Sequence, residues 1–202
     1  MDRLAAVRAV SRRWLALYLP IATLVLGAST VVGFLLGSAV PVEALPAPRE
    51  SGSGSVFPPL TTVDIAVNNL VAMGVLLFGA VSVGLVTLFG LVVNGLLIGA
   101  VVGIAVQQLD PLVVLALLLP HGVLELPALL IAAAIGLRFA RLTVRYIRGL
   151  EETLVTRRDL REAGWLVAVS AVLIVVAAYI EANVTVEVAE WVAGGEITGV
   201  AG

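Results

Sequence analysis

His121 and Glu125 stand four residues apart in the run Pro120-His121-Gly122-Val123-Leu124-Glu125-Leu126-Pro127. On a helix that spacing sets an imidazole and a carboxylate on one face. Such a pair can relay a proton, or can hydrogen-bond one helix to another inside a membrane. Asn68, Asn69 and Asn94 are further polar side chains set in apolar surroundings. Together the five form a candidate intramembrane polar site. A charged group at the bilayer centre costs about 2.5–3.5 kcal/mol on insertion scales, so such residues normally face one another or a wet cavity.

Other chemistries are poorly supplied. The chain has no cysteine, which removes disulfides, thiolate metal sites and cysteine nucleophiles. Its single histidine excludes a multi-histidine metal site within one chain, and no HExxH motif is present. Ser82 and Ser170 lie in no nucleophile-elbow or paired-base context. The expectation is therefore a protein that is not an enzyme, with no catalytic residues, no metal and no cofactor.

The elements that position these residues follow from composition. Sixty per cent of the 202 residues are hydrophobic, more apolar surface than a soluble domain of this length can bury. Between Thr62 and Ala140 the only charges are Asp64, Asp110, Glu125 and Arg138. Uncharged stretches of this length belong in a hydrocarbon solvent. The expected fold is all-α, a polytopic transmembrane bundle of about five spans forming one domain over residues 1–182. The spans are placed at 14–37, 66–88, 91–106, 112–140 and 165–180. The first is long enough to cross a bilayer and is read as an uncleaved anchor. The fourth, if one straight helix, would be roughly 44 Å long against a core of about 30 Å. Pro120, Gly122 and Pro127 interrupt it, so a broken or re-entrant segment over Leu112–Pro127 followed by one crossing is expected.

Arginine supplies every basic residue, and its placement orients the chain. Four arginines precede the first span and seven lie between Arg138 and Arg161. The positive-inside rule puts both groups in the cytoplasm, which five crossings satisfy. The Pro/Ser/Gly-rich loop 41–59 then lies outside, as does an acidic tail over 183–202 carrying Glu187, Glu190 and Glu196. Residues 141–162 read as a cytoplasmic amphipathic helix, with Arg141, Arg145 and Arg148 facing anionic lipid headgroups. Gly95, Gly99 and Gly103 form a ladder of small residues that admits a neighbouring helix, either within the chain or across a homodimer seam. Gly33 and Gly37 offer the same on the first span. Membrane lipids, protein partners or a second copy are the expected partners, and nucleic acid is not. Absence of lysine with Ala, Val and Gly richness suggests a GC-rich genome, as in halophiles.

These patterns coincide in one order: Asn68-Asn69, then Asn94-Gly95 with Gly99 and Gly103, then Pro120-His121-Gly122-Val123-Leu124-Glu125-Leu126-Pro127-Ala128, then Ile131-Ala132 and Gly136-Leu137. In this the chain resembles the stage II sporulation protein M family, over roughly Trp14 to Ile180. The resemblance implies a multi-pass membrane protein. In spore-forming bacteria it implies a scaffold, the membrane-embedded partner of two peptidoglycan-degrading proteins. Family members also occur where there is neither sporulation nor peptidoglycan, archaea included, and the lysine-free composition here fits such a homologue. Asn68, Asn69, Asn94, His121 and Glu125 match the positions of a shared intramembrane site. The expected function is a non-enzymatic membrane scaffold or assembly partner. The alternative is a transporter or permease-like component that uses the His/Glu/Asn cluster.

Overall fold

The computed structural model describes residues 3–41 and 61–195. Most of the expected outer loop 41–59, and the end of the tail from 196, lie outside the described residues. Within them the chain forms α1 Arg3–Trp14, α2 Tyr18–Ser38, α3 Thr62–Leu77, α4 Leu85–Ala105, α5 Pro111–Ile147, α6 Arg157–Asn183 and α7 Thr185–Ala193. Five of these, with α3 prolonged by a 3-10 turn to Ala80, are long and apolar enough to cross a membrane. The all-α five-span bundle is thus the architecture observed.

Its core draws on all five spans. Ala22 and Leu26 of α2, Met73 and Leu76 of α3, Leu91 of α4, Ala128, Leu129, Ala132 and Ala133 of α5, and Ile174 of α6 form one buried cluster. Alanines line the core where the helices approach closely, Leu, Met and Ile fill the rest of it, and many other large apolar side chains turn outward. Leu24, Leu35, Val71, Leu85, Phe89, Val101, Val123 and Val172 are exposed, as lipid contact requires.

The tightest contact joins α2 to α4. A Cβ at Gly99 would run into the Thr30 carbonyl, and one at Gly33 into the Leu96 carbonyl. Gly95 and Gly103 meet Leu26, Ser29 and Phe34 in the same way, while Gly37 meets Ala100. The two glycine ladders therefore face each other inside one chain, backbone against backbone. Gln107 closes this interface at one end by donating from Nε2 to the Gly37 carbonyl at 3.0 Å.

Three expected boundaries change. First, the Leu112–Pro127 segment is neither broken nor re-entrant: α5 is one 37-residue helix with Pro120 and Pro127 inside it. At about 1.5 Å per residue it is roughly 55 Å long. Continuity is the cheaper outcome, since a break would strand more backbone groups in hydrocarbon than two prolines do. The excess length is used at both ends. Val113 and Ala116 pack against Ala189 of α7 at one end, and the stretch from Arg138 to Ile147 runs on among the arginines at the other.

Second, the amphipathic helix expected over 141–162 does not exist as a unit. Arg141–Ile147 are the last turns of α5, and Gly149 at φ +68° leads out of that helix. A new helix starts at Thr156, whose hydroxyl accepts from the Asp159 N–H while Asp159 accepts from the Thr156 N–H. That reciprocal cap fixes the start of α6. Third, the second span ends at Ala80, α3 to Leu77 and its 3-10 turn, rather than at 88, and the turn to α4 runs through Val83 at φ +54° and Gly84 at φ +89°. The turn is apolar but for Ser82, so hydropathy did not reveal it.

The bundle has two chemically different ends. Arg13, Arg138 and Arg157 mark a basic end, where Thr143 also donates to the Ala80 carbonyl at 2.9 Å. Glu181, Glu187 and Glu190 mark an acidic end, where Asn183 donates to Thr62 Oγ1 at 3.2 Å.

Candidate functional site

His121 and Glu125 lie two turns and more inside α5, half-buried, on the face turned towards the end of α6. Continuity of α5 through Gly122 keeps them on one face. Glu181, in the last turn of α6, brings a second carboxylate to them. The ligand atoms of His121, Glu125 and Glu181 all lie within 4.8 Å of one another. Thr185 completes the group from the α6–α7 corner: its buried hydroxyl stands 3.4 Å from His121 Nδ1 and donates to the Ile180 carbonyl at 3.2 Å. The corner is held in place because α7 packs Ala189 against Val113 and Ala116 of α5.

The asparagines do not join this cluster by hydrogen bonds among the described residues. Asn94 donates to the Gly90 carbonyl of its own helix at 2.8 Å. Asn68 is exposed and donates to the Oδ1 of buried Asn69 at 3.3 Å. The structure therefore keeps His121 and Glu125 together, adds Glu181 and Thr185, and leaves Asn68, Asn69 and Asn94 with local partners. The absence of a metal was expected because one histidine cannot build a multi-histidine site. One imidazole with two carboxylates is a different donor set, and only the fold brings the second carboxylate in. Nothing in the spacing of Glu181 from Glu125 announces it. Asn183 and Thr185 both make side-chain hydrogen bonds within the fold.

A second polar assembly occupies the basic end, and sequence inspection missed it. Arg13 pairs with Asp159 and lies 3.3 Å from Glu162 Oε2. Arg138 reaches Asp159 at 3.6 Å, donates to the Arg13 carbonyl at 2.6 Å, and sits 4.5 Å over the Trp14 ring. Trp14 is fully buried, edge-on to Phe139, and its indole N–H donates to Glu162 at 2.8 Å. Arg158 holds the other Glu162 oxygen at 2.7 Å. The available signal was Thr156-Arg157-Arg158-Asp159, a capping-box pattern that placed acidic residues among the arginines.

The three arginines expected to face lipid are not a uniform stripe. Arg141 donates to the Tyr18 hydroxyl at 3.3 Å, and Arg145 pairs with Glu151 at 2.9 Å. Arg148, at the end of α5, is exposed.

Comparison with known proteins agrees with this architecture. A relative of uncharacterised function, MJ0793 from the archaeon Methanocaldococcus jannaschii, is 33% identical over 129 residues, covering 63% of this chain and 72% of its own length. No solved structure matches the chain. The family described as stage II sporulation protein M matches residues 22–186, which take in α2 from its fifth residue, the other four membrane helices whole, and both polar assemblies save the Arg13–Trp14 side. The chain belongs to the stage II sporulation protein M family of integral membrane proteins.

Proposed function

We propose that this protein is a non-enzymatic membrane scaffold, an assembly partner that presents fixed surfaces on both sides of the bilayer. The observation that carries this is where the polar side chains spend their hydrogen bonds. A transport path needs polar groups that line a continuous route across the membrane. Here Asn94 is bonded to its own helix, Asn68 bonds Asn69, and the His121 cluster sits at the acidic end beside the α6–α7 corner. Backbone contact between α2 and α4, and the ion-paired lock on Trp14, support a rigid bundle rather than a rocking one.

In this reading the basic end is cytoplasmic and the acidic end, with α7, extracytoplasmic, following the positive-inside rule. Exposed Arg148, Arg157 and Arg161 then meet anionic headgroups at the cytoplasmic face, while Trp191 lies at the opposite interface.

The test combines two measurements on the full chain. Photo-crosslinkers at Leu150 and Trp191 in native membranes should each give a reproducible adduct with a defined protein. Proteoliposomes of the purified protein should show proton and ion flux no greater than protein-free vesicles. Flux that disappears in Glu125→Gln would overturn the scaffold reading in favour of transport.

A further inference from the structure

The cluster at the acidic end has a charge problem that the fold does not solve with its own cations. Glu125 and Glu181 carry two carboxylates into one half-buried site, and the arginines of the described chain gather at the other end of the bundle. The only other ionisable partner within the group is His121. Repulsion between close carboxylates in a poorly solvated place calls for a shared positive charge.

The contacts around His121 allow its ring to offer a nitrogen lone pair. Thr185 Oγ1 donates to the Ile180 carbonyl, so that oxygen is an acceptor towards His121. With that hydroxyl turned to Ile180, the tautomer of His121 protonated at Nδ1 can donate to the oxygen, and its Nε2 then keeps a free lone pair. A metal-ligating histidine is usually fixed in this manner, its other nitrogen donating to an oxygen of the protein. Metal–ligand bonds of about 2.0–2.2 Å place neighbouring donors roughly 3–4 Å apart. Donors already within 4.8 Å of one another need only small rotamer changes to share an ion.

We propose that His121, Glu125 and Glu181 bind one divalent first-row transition-metal ion, which ties the α6–α7 corner to α5. One imidazole and two carboxylates suit zinc or manganese, and affinity for such a donor set rises from manganese to zinc. Three protein ligands leave at least one coordination position for water or for an oxygen of another molecule. The site stands whether the protein is a scaffold or a transporter.

The chain's composition makes the test clean, because it has one histidine and no cysteine. The full-length protein, carrying a tag without histidine, is stripped with a chelator in detergent and titrated with Zn²⁺ and Mn²⁺ by equilibrium dialysis with elemental analysis. The expected result is one saturable ion per chain, zinc tighter than manganese, with at least tenfold weaker zinc binding in Glu181→Gln and His121→Ala. Glu187→Gln, outside the cluster, should bind as the wild type does. Absence of saturable binding in the wild type, or binding unchanged in both cluster variants, overturns the proposal. Should either variant fail to fold, X-ray absorption of the zinc-loaded wild type decides. A shell of one imidazole with oxygen donors identifies His121 uniquely, and a shell of oxygen alone overturns the site.

Discussion

The indole N–H of Trp14 donates to Glu162 Oε2 at 2.8 Å across 148 residues of sequence, joining the end of α1 to the start of α6. Both side chains are buried, and Arg13 and Arg158 take up the remaining charge of the carboxylate. This contact ties α1, just ahead of the first span, to the start of the last span at the basic end.

Trp14→Phe keeps most of the ring but removes the donor. The expected loss is about 1–3 kcal/mol, since a buried acceptor is left short of a partner. Glu162→Gln should cost a similar amount by leaving Arg13 and Arg158 without their counter-charge. Unfolding titrations in micelles on both single variants and the double variant give the coupling. A coupling energy near zero would show that the two residues do not act together.

The α2–α4 interface makes glycine position-specific. Gly99→Ala puts a methyl group against the Thr30 carbonyl and is expected to destabilise the bundle by about 1–3 kcal/mol. Gly122→Ala, where no neighbouring side chain or helix lies within 4 Å of the added carbon, should stay within about 1 kcal/mol of wild type. Thermal melts of the two variants side by side check this. Equal effects would mean that α2 and α4 are not in backbone contact.

Val83 is a β-branched residue at φ +54°, half exposed, in the turn between α3 and α4. Left-handed backbone costs a residue with a Cβ about 1–2 kcal/mol. Val83→Gly should therefore raise stability by about 1 kcal/mol, and Val83→Ala should not. Loss of stability in Val83→Gly would indicate that the valine side chain, rather than the backbone, matters there.

Orientation can be read directly because the natural chain has no cysteine to remove. A cysteine at Ser53 should react with a membrane-impermeant maleimide on intact cells. One at Glu152, in the loop between α5 and α6, should react only after permeabilisation. The opposite pattern would invert the bundle and remove the proposed cytoplasmic role of the arginines.

Much of the architecture was legible in the amino-acid order alone, because a bilayer imposes one-dimensional rules. Long apolar runs became membrane helices, and the i, i+4 spacing of His121 and Glu125 put them on one face of α5. The small-residue ladders marked the faces that meet. Local rules also misled: prolines at 120 and 127 argued for a break, yet membrane burial of the backbone kept α5 whole. An apolar turn at 78–84 was invisible to hydropathy, since lipid-facing helix and apolar turn have the same composition.

What the tertiary structure decided was partnership. That the glycines of α4 meet the glycine ladder of α2 is a matter of helix order. Asparagines that looked like members of one site turned out to bond locally, because a side chain in hydrocarbon takes the nearest backbone or side-chain partner. Glu181 joined His121 and Glu125 only because α6 returns antiparallel to α5 and α7 folds back on it. Long-range pairings of this kind depend on packing between helices, and no spacing along the chain encodes them.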